Sequence, residues 1–181
     1  MRSGELAGLQ WGDVDWNGRF IEVRRSINRL GGIGTVKTKS GRRRVDLSDH
    51  LLKTLRDLRQ QKQQDALKDG KNEIPEWVFA NRFGRFLTIN SVKVRNFKKV
   101  LKKAEIRSIR FQDLRHTFAS QLLCSGANIL YVSQQLGHSN PGVTMKVYAK
   151  WIPKEGQREA MNKLPFVSQR GSDLEGERLA G

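Results

Sequence analysis

Between Asp113 and Tyr148 the chain is punctuated as a run of short helices. Leu114, Phe118 and Leu122 recur at i, i+4 and i+8, a spacing that lines one helical face, and Gly126 is a natural stop. Asn128 can cap the next helix, which buries Ile129, Val132 and Leu136 and ends at Gly137. Pro141 suits the first turn of a third helix that reaches Tyr148. His138 therefore stands on a helix-end turn, where a side chain is well aimed and usually exposed.

The first half of the chain has another period. Residues 1–10 read as part of a helix with Leu6 and Leu9 inward. Asp13 to Trp16, Asn17-Gly18 and Arg19 to Arg25 read as a β-hairpin, because Asn-Gly supplies the positive φ angles of a tight two-residue turn and Ile21 and Val23 alternate with polar neighbours. A second hairpin is expected around Ser40-Gly41. With those residues as the turn, Lys39 faces Arg42 and Lys37 faces Arg44, all four on one face, with Val36, Thr38, Arg43 and Val45 on the other. Like charges stacked across strands are unfavourable unless a polyanion neutralises them, so this face is expected to meet phosphate.

From Ser48 a helix carries Leu51, Leu52, Leu55 and Leu58. Trp77-Val78-Phe79 is a third strand or a buried extended stretch. Asn90 can cap a helix with Val92, Val94, Phe97 and Leu101 inward, while Lys93, Lys98 and Lys102 belong to a cationic face that is either a phosphate track or a solvated surface. The expected fold class is α+β, mainly helical, with a small antiparallel three-stranded sheet. Residues 1–150 form one domain. Residues 151–181 form a tail, a short helical piece with Ala160, Met161 and Leu164 followed by an end that looks disordered.

Charge narrows the partner. Lys and Arg number 34 against 18 Asp and Glu, a net charge of +16. The tail from 151 onward is balanced, so the whole surplus lies on the first 150 residues and points to nucleic acid. The one cysteine, Cys124, excludes an internal disulfide and reads as a packed core thiol. Three scattered histidines give no metal-ligand spacing. No apolar run approaches membrane-spanning length and no signal-peptide pattern opens the chain, so a cytoplasmic setting with access to the nucleoid is expected.

Four residues then stand out in order: Arg2 in Met1-Arg2-Ser3-Gly4-Glu5-Leu6, Arg115 in Gln112-Asp113-Leu114-Arg115-His116-Thr117, His138 in Leu136-Gly137-His138, and Tyr148. Cutting a phosphodiester needs a nucleophile, stabilisation of charge on the phosphoryl oxygens, and a proton for the leaving oxygen. Two arginines can clamp one phosphate through forked donors, and a tyrosine oxygen can carry the phosphoryl group covalently. Glu5, three residues from Arg2 on a helix, can hold its guanidinium.

The set resembles the tyrosine recombinase (phage integrase) family over nearly all of residues 1–150, including the run Arg2, Glu5, Leu6, Leu9, Trp11, Asp13. The resemblance implies that Tyr148 attacks a DNA phosphate to give a 3′-phosphotyrosyl link, that Arg2 and Arg115 clamp that phosphate, and that His138 bonds a non-bridging oxygen. It also implies a lysine that protonates the leaving 5′ oxygen. Lys37 and Lys39 both qualify, and the Lys37-Thr38 pair matches the family's motif better. The family's His-x-x-Arg is here Gln112-x-x-Arg115, and an amide can donate a hydrogen bond but cannot exchange a proton near neutral pH. His116, one residue along from Arg115, is turned roughly 100° away from it on a helix, and the family's histidine there is thought to be structural. The implied activity is site-specific DNA recombination or integration on double-stranded DNA, without metal or other cofactor, by a homo-multimer assembled as a tetrameric synapse. A type IB topoisomerase and an inactive DNA-binding remnant are the rivals. The resemblance further implies a DNA-clamping domain upstream of Met1.

Overall fold

The structure, a computed structural model, describes residues 1–35 and 41–152. Two apolar cores organise them. One gathers Leu9, Trp11, Val14, Ile21, Leu47, Leu52, Leu55 and Val78. The other gathers Ala119, Leu123, Val132, Leu136 and Tyr148. A β-sheet and one long helix build the first, and three short helices build the second.

The sheet has the order β1-β2-β5, all antiparallel, with β1 at Val14–Asp15, β2 at Phe20–Val23 and β5 at Arg43–Asp46. Its register sets Val14 and Val45 on either side of Ile21, so one face of the sheet is apolar. A separate pair, β3 (Arg25–Ile27) and β4 (Ile33–Thr35), packs against the short helix α1 (Ser3–Ala7). A Cβ on Gly4 would lie 2.4 Å from the Ser26 Oγ and 2.6 Å from the Ile27 carbonyl oxygen, so only glycine lets α1 approach β3 this closely. The helix is shorter than the expected 1–10. It buries Gly4, Glu5 and Ala7, Leu9 lies beyond its end in the first core, and Leu6 is half-buried.

The first expected hairpin is corrected. The first closes at the pair Asp15–Phe20, leaving four residues in the turn. Asp15 Oδ1 accepts the backbone N–H groups of Asn17 (3.1 Å) and Gly18 (2.6 Å), and Arg19 takes the positive φ of 57°. A side-chain acceptor just before the turn thus organises it, which Asn-Gly alone does not reveal. In the second, Arg44 faces Glu22 of β2, because β5 extends the sheet. The expected facing of Lys37 and Lys39 across from Arg44 and Arg42 falls on residues 36–40. Lys37 and Lys39 lie outside the described residues. The third strand of the sheet is β5, whereas Trp77-Val78-Phe79 is an extended stretch bridged to Gln10, with the Val78 N–H donating to the Leu9 carbonyl at 2.9 Å.

Helix α2 (Asp49–Lys68) starts at Ser48, whose hydroxyl accepts the Leu51 N–H. Leu52 and Leu55 are buried and Leu58 packs on the first core, while Leu51 faces solvent. Around residue 90 the Asn90 side chain provides no cap. Thr88 Oγ1 accepts the Ser91 N–H at 3.2 Å instead, and wide π-type turns over Ser91–Phe97 lead into α3 (Lys98–Lys103).

Helices α4 (Asp113–Cys124), α5 (Ile129–Leu136) and α6 (Pro141–Tyr148) follow, with the expected Asn128 cap on α5, Gly137 ending α5 at φ 69° and Pro141 in the first turn of α6, to which the Asn140 side chain adds a cap. The facing of α4 differs from expectation. Leu114 and Phe118 are 44% and 40% exposed, and the buried positions are Ala119 and Leu123. The inner row is therefore Arg115, Ala119, Leu123, one residue round from the expected stripe. Cys124 sits on the outer side and is exposed, against the core-thiol expectation.

Candidate active site

The C-terminus of α5 is where the site is assembled. The last carbonyls of a helix have no partner within it and carry the negative end of its dipole. Three arginines from three elements meet three consecutive carbonyls there. Arg43 Nε of β5 donates to Gln135 O at 2.9 Å, Arg115 Nη2 of α4 donates to Leu136 O, and Arg2 Nη2, just before α1, donates to Gly137 O at 3.0 Å. Gly137 permits this on two counts. Its left-handed φ suits glycine, and a Cβ there would lie within 2.7–2.9 Å of the Arg43 guanidinium. Leu136 is fully buried in the second core, so the Leu-Gly-His sequence anchors a residue, turns the chain and presents His138.

Beneath the arginines lies Glu5, 3% exposed. Its carboxylate receives Arg43 Nη1 at 3.1 Å and Nη2 at 2.8 Å, Arg2 Nη1 at 3.1 Å, and the Arg2 backbone N–H at 2.6 Å. Burial pushes its pKa upward, but the Arg43 fork, the Arg2 backbone N–H and the charges of both arginines outweigh burial and hold it at about 2. Gln135 extends the seam to β5, accepting the Asp46 N–H at 3.0 Å and donating to Asp46 Oδ2 at 3.1 Å.

Arg115 differs. Its Nη1 is buried and has no hydrogen-bond partner among the described residues. Burial, then the charge of Arg2, lowers its pKa to about 10, which leaves it protonated near neutral pH. His138 is half-buried, its Nδ1 2.8 Å from the buried Thr144 Oγ1. Burial and the charges of Arg115, Arg2 and Arg43 hold its pKa below the usual histidine value, so it is neutral over a wider range. Tyr148 is 4% exposed and belongs to the second core. Burial raises its pKa, and the Arg115 charge works in the opposite direction. Its hydroxyl lies 2.7 Å from His116 Nδ1.

A cleft of about 760 Å³ opens beside His116. Lys93, Lys98, Arg107 and Arg110 give it a cationic lining, Phe97 and Phe111 meet edge to face at 5.2 Å in its wall, and Gln112 and His116 stand on its α4 side. Arg110 is also paired with Asp113 at 3.1 Å.

Of the residues expected from sequence, Arg2, Glu5, Arg115, His138 and Tyr148 come together. Gln112 stands at the head of α4, exposed, and does not cap it. Lys93 and Lys98 line the cleft, and Lys102 is exposed on α3 outside that lining. Arg42 and Arg44 are exposed at β5, with Arg44 stacked 4.5 Å over the Phe20 ring.

Two residues were missed. Arg43 had a signal in the alternation, an arginine sharing the strand face with Val45. His116 was set aside because it is one residue round from Arg115, and that same step is what brings it to Tyr148.

The geometry has close relatives. A XerC-like tyrosine recombinase of Caldanaerobacter subterraneus is 30% identical over 182 residues, covering 91% of this chain and 46% of that protein. Prophage integrase IntR of Escherichia coli is 31% identical, covering 84% of this chain and 40% of that protein. The chain thus spans about half the length of the curated relatives it matches. The Tn1549 transposon integrase, solved in complex with circular intermediate DNA, superposes with a TM-score of 0.68 at 24% identity, covering 90% of this chain and 55% of that one. XerA recombinase superposes at 0.63 with 25% identity, covering 89% and 52%. The fold is that of tyrosine recombinase catalytic domains. With residues 1–155 matching the phage integrase family as a whole, and with its arginines, histidine and tyrosine gathered at one helix end, the chain belongs to that family.

Proposed function

We propose that residues 1–150 are the catalytic domain of a site-specific DNA recombinase that cuts and rejoins strands through Tyr148. The observation that carries this reading is the unpaired, buried Nη1 of Arg115 in the same cluster as Arg2, His138 and Tyr148. A buried donor without an acceptor is costly, and a phosphate oxygen would satisfy it.

In this mechanism Arg2 and Arg115 bind the non-bridging oxygens of a DNA phosphate. In this reading neutral His138 carries its proton on Nε2, where it gives a further hydrogen bond to phosphate, and its Nδ1 accepts from the Thr144 hydroxyl 2.8 Å away. The Tyr148 oxygen bonds to phosphorus, the bond to the 5′ oxygen breaks, and that oxygen takes a proton from Lys37, or from Lys39 on the same stretch. A 5′-hydroxyl from a partner duplex then reverses the attack, and the ester keeps the bond energy so that no ATP is consumed. Lys39, Arg42 and Arg44, together with Lys93, Lys98 and Lys102, would follow the DNA backbone. The substrate is double-stranded DNA, the working form is a homo-multimer on that DNA, and the place of action is the cytoplasm, at the nucleoid. No helix of the described residues is long and apolar enough to cross a membrane.

The test is a covalent trap. A pool of nicked duplexes with randomised flanks releases a short fragment on cleavage, which prevents rejoining and leaves protein on DNA in a denaturing gel. Wild type should give a shifted adduct and Tyr148→Phe none. DNA retention without any adduct would replace this reading with a binding remnant, and relaxation of supercoils without strand exchange would favour a topoisomerase.

A further inference from the structure

We propose that His116 takes the phenolic proton of Tyr148, and so performs the proton transfer that Gln112 cannot. The inference rests on Tyr148 being the nucleophile. A tyrosine hydroxyl is a weak nucleophile while protonated, and burial makes Tyr148 harder to ionise. It needs an acceptor within hydrogen-bond reach, about 2.6–3.2 Å. His116 Nδ1 is at 2.7 Å, and the two rings are tilted at 43° with centroids 5.8 Å apart.

The placement follows from the fold. Tyr148 ends α6 inside the second core, so its ring is fixed by packing with Ala119 and Leu123 of α4. The inner row of α4 starts at Arg115, which sends the next side chain, His116, past the rim of that core towards the cleft. One helix therefore delivers a phosphate donor on its inner row and a proton acceptor one step round. Gln112 is a full turn earlier, lining the same cleft with an amide.

The step balances. The Tyr148 O–H proton moves to His116 Nδ1, the oxygen's electron pair forms the bond to phosphorus, and the bond from phosphorus to the 5′ oxygen breaks. The departing oxygen takes its proton from a separate acid, a lysine ammonium in the reading above. On rejoining, His116 returns its proton to Tyr148 as the phosphotyrosyl bond breaks.

Several charged or titratable groups face the imidazole. Asp113 and Arg115 come from α4, Tyr148 from α6, His138 from the turn between α5 and α6, and Lys93, Lys98, Arg107 and Arg110 from the cleft wall. His138 is held neutral to lower pH by burial and three arginines.

The experiment compares wild type, His116→Asn and Tyr148→Phe as full chains, on one nicked duplex captured by the covalent trap. Asparagine keeps a hydrogen-bonding group near the position of Nδ1 but cannot accept a proton. Adduct formation by H116N should be slower by roughly a hundredfold at neutral pH, with DNA retention unchanged. The deficit should shrink at high pH as the phenol ionises unaided. A second readout needs no activity. Nitrogen NMR of His116 should show Nδ1 unprotonated and Nε2 carrying the proton in wild type, and Y148F should change the Nδ1 signal as its hydrogen-bond partner is lost. A Tyr148-dependent adduct with unchanged rate and pH profile in H116N would overturn the role of His116 alone. So would a proton on Nδ1 of neutral His116. An adduct that survives Y148F would overturn the nucleophile reading and this inference with it.

Discussion

Two arginines reach neighbouring carbonyls of the same helix end and are treated in opposite ways. On the β5 side, all three guanidinium nitrogens of Arg43 have partners in Gln135 O and the Glu5 carboxylate, and its side chain is 6% exposed. On the α4 side, Arg115 uses Nη2 on Leu136 O and leaves Nη1 buried and without a partner among the described residues. A satisfied buried ion pair fixes structure, whereas an unsatisfied one stores a need for a ligand. The β5 side is therefore the floor that holds α1, the sheet and α5 together, and the α4 side is the face that the proposed function gives to the substrate.

The sharpest way to break this division is to remove each arginine and measure both stability and chemistry. Arg43→Met leaves Glu5 buried with only Arg2 against it, and such a loss typically costs about 3–5 kcal/mol. Urea unfolding should show that drop. A loss below about 1 kcal/mol, the range of a surface pair, would mean that the floor is not where stability resides. Arg115→Met should do the reverse. It removes an unpaired buried donor and should change stability little, while adduct formation should fall roughly a hundred- to a thousandfold, the cost of losing one preorganised donor to a transition state. Equal losses of stability in the two variants would dissolve the contrast.

Acid titrates the floor selectively. Glu5 has a folded pKa of about 2 against 4.5 in its unperturbed state. The depressed value means that its stabilisation is fully present above about pH 4.5 and is lost as pH falls through the folded value near 2. The shift corresponds to roughly 3 kcal/mol between those limits. The stability gap between wild type and Glu5→Gln should therefore be widest near neutral pH and should close as pH approaches about 2. A gap independent of pH would show that shape rather than charge holds the floor.

How far the sequence announced these two regions depends on what carries the signal. Helix punctuation is local chemistry, so Ser48, Asn128, Gly137 and Pro141 marked α2, α5 and α6 correctly. Arg2, Arg115, His138 and Tyr148 were legible because their order resembles a family. Facing was less legible. Leu114 and Phe118 look like a core stripe by spacing, yet α4 turns Arg115, Ala119 and Leu123 inward, because α5 and α6 offer packing on that side. Pairing partners were hidden too. Nothing local tells β5 to choose β2, and the choice follows from Ile21 needing an apolar neighbour on each side. The same long-range choice put Arg43 over Glu5, which no spacing within either segment announces.

The smallest expected effect lies at Gln112, and it tests which residue moves the proton. If the α4 face lacked any proton acceptor, Gln112→His would supply one and raise adduct formation by up to roughly a hundredfold. His116 already stands 2.7 Å from the Tyr148 hydroxyl, so the gain in the otherwise wild-type chain should stay below roughly tenfold. The double variant sharpens the point. In the His116→Asn background the acceptor is gone, and Gln112→His should then help more than it does alone, because a new imidazole in the same cleft can partly take over the role. Such non-additivity is the mark of two residues serving one function, whereas sites that act independently give effects that multiply. Single-turnover rates of the four proteins close the cycle. A large gain from Gln112→His that is equal in both backgrounds would assign position 112 to phosphate positioning and would leave the proton of Tyr148 to His116 alone.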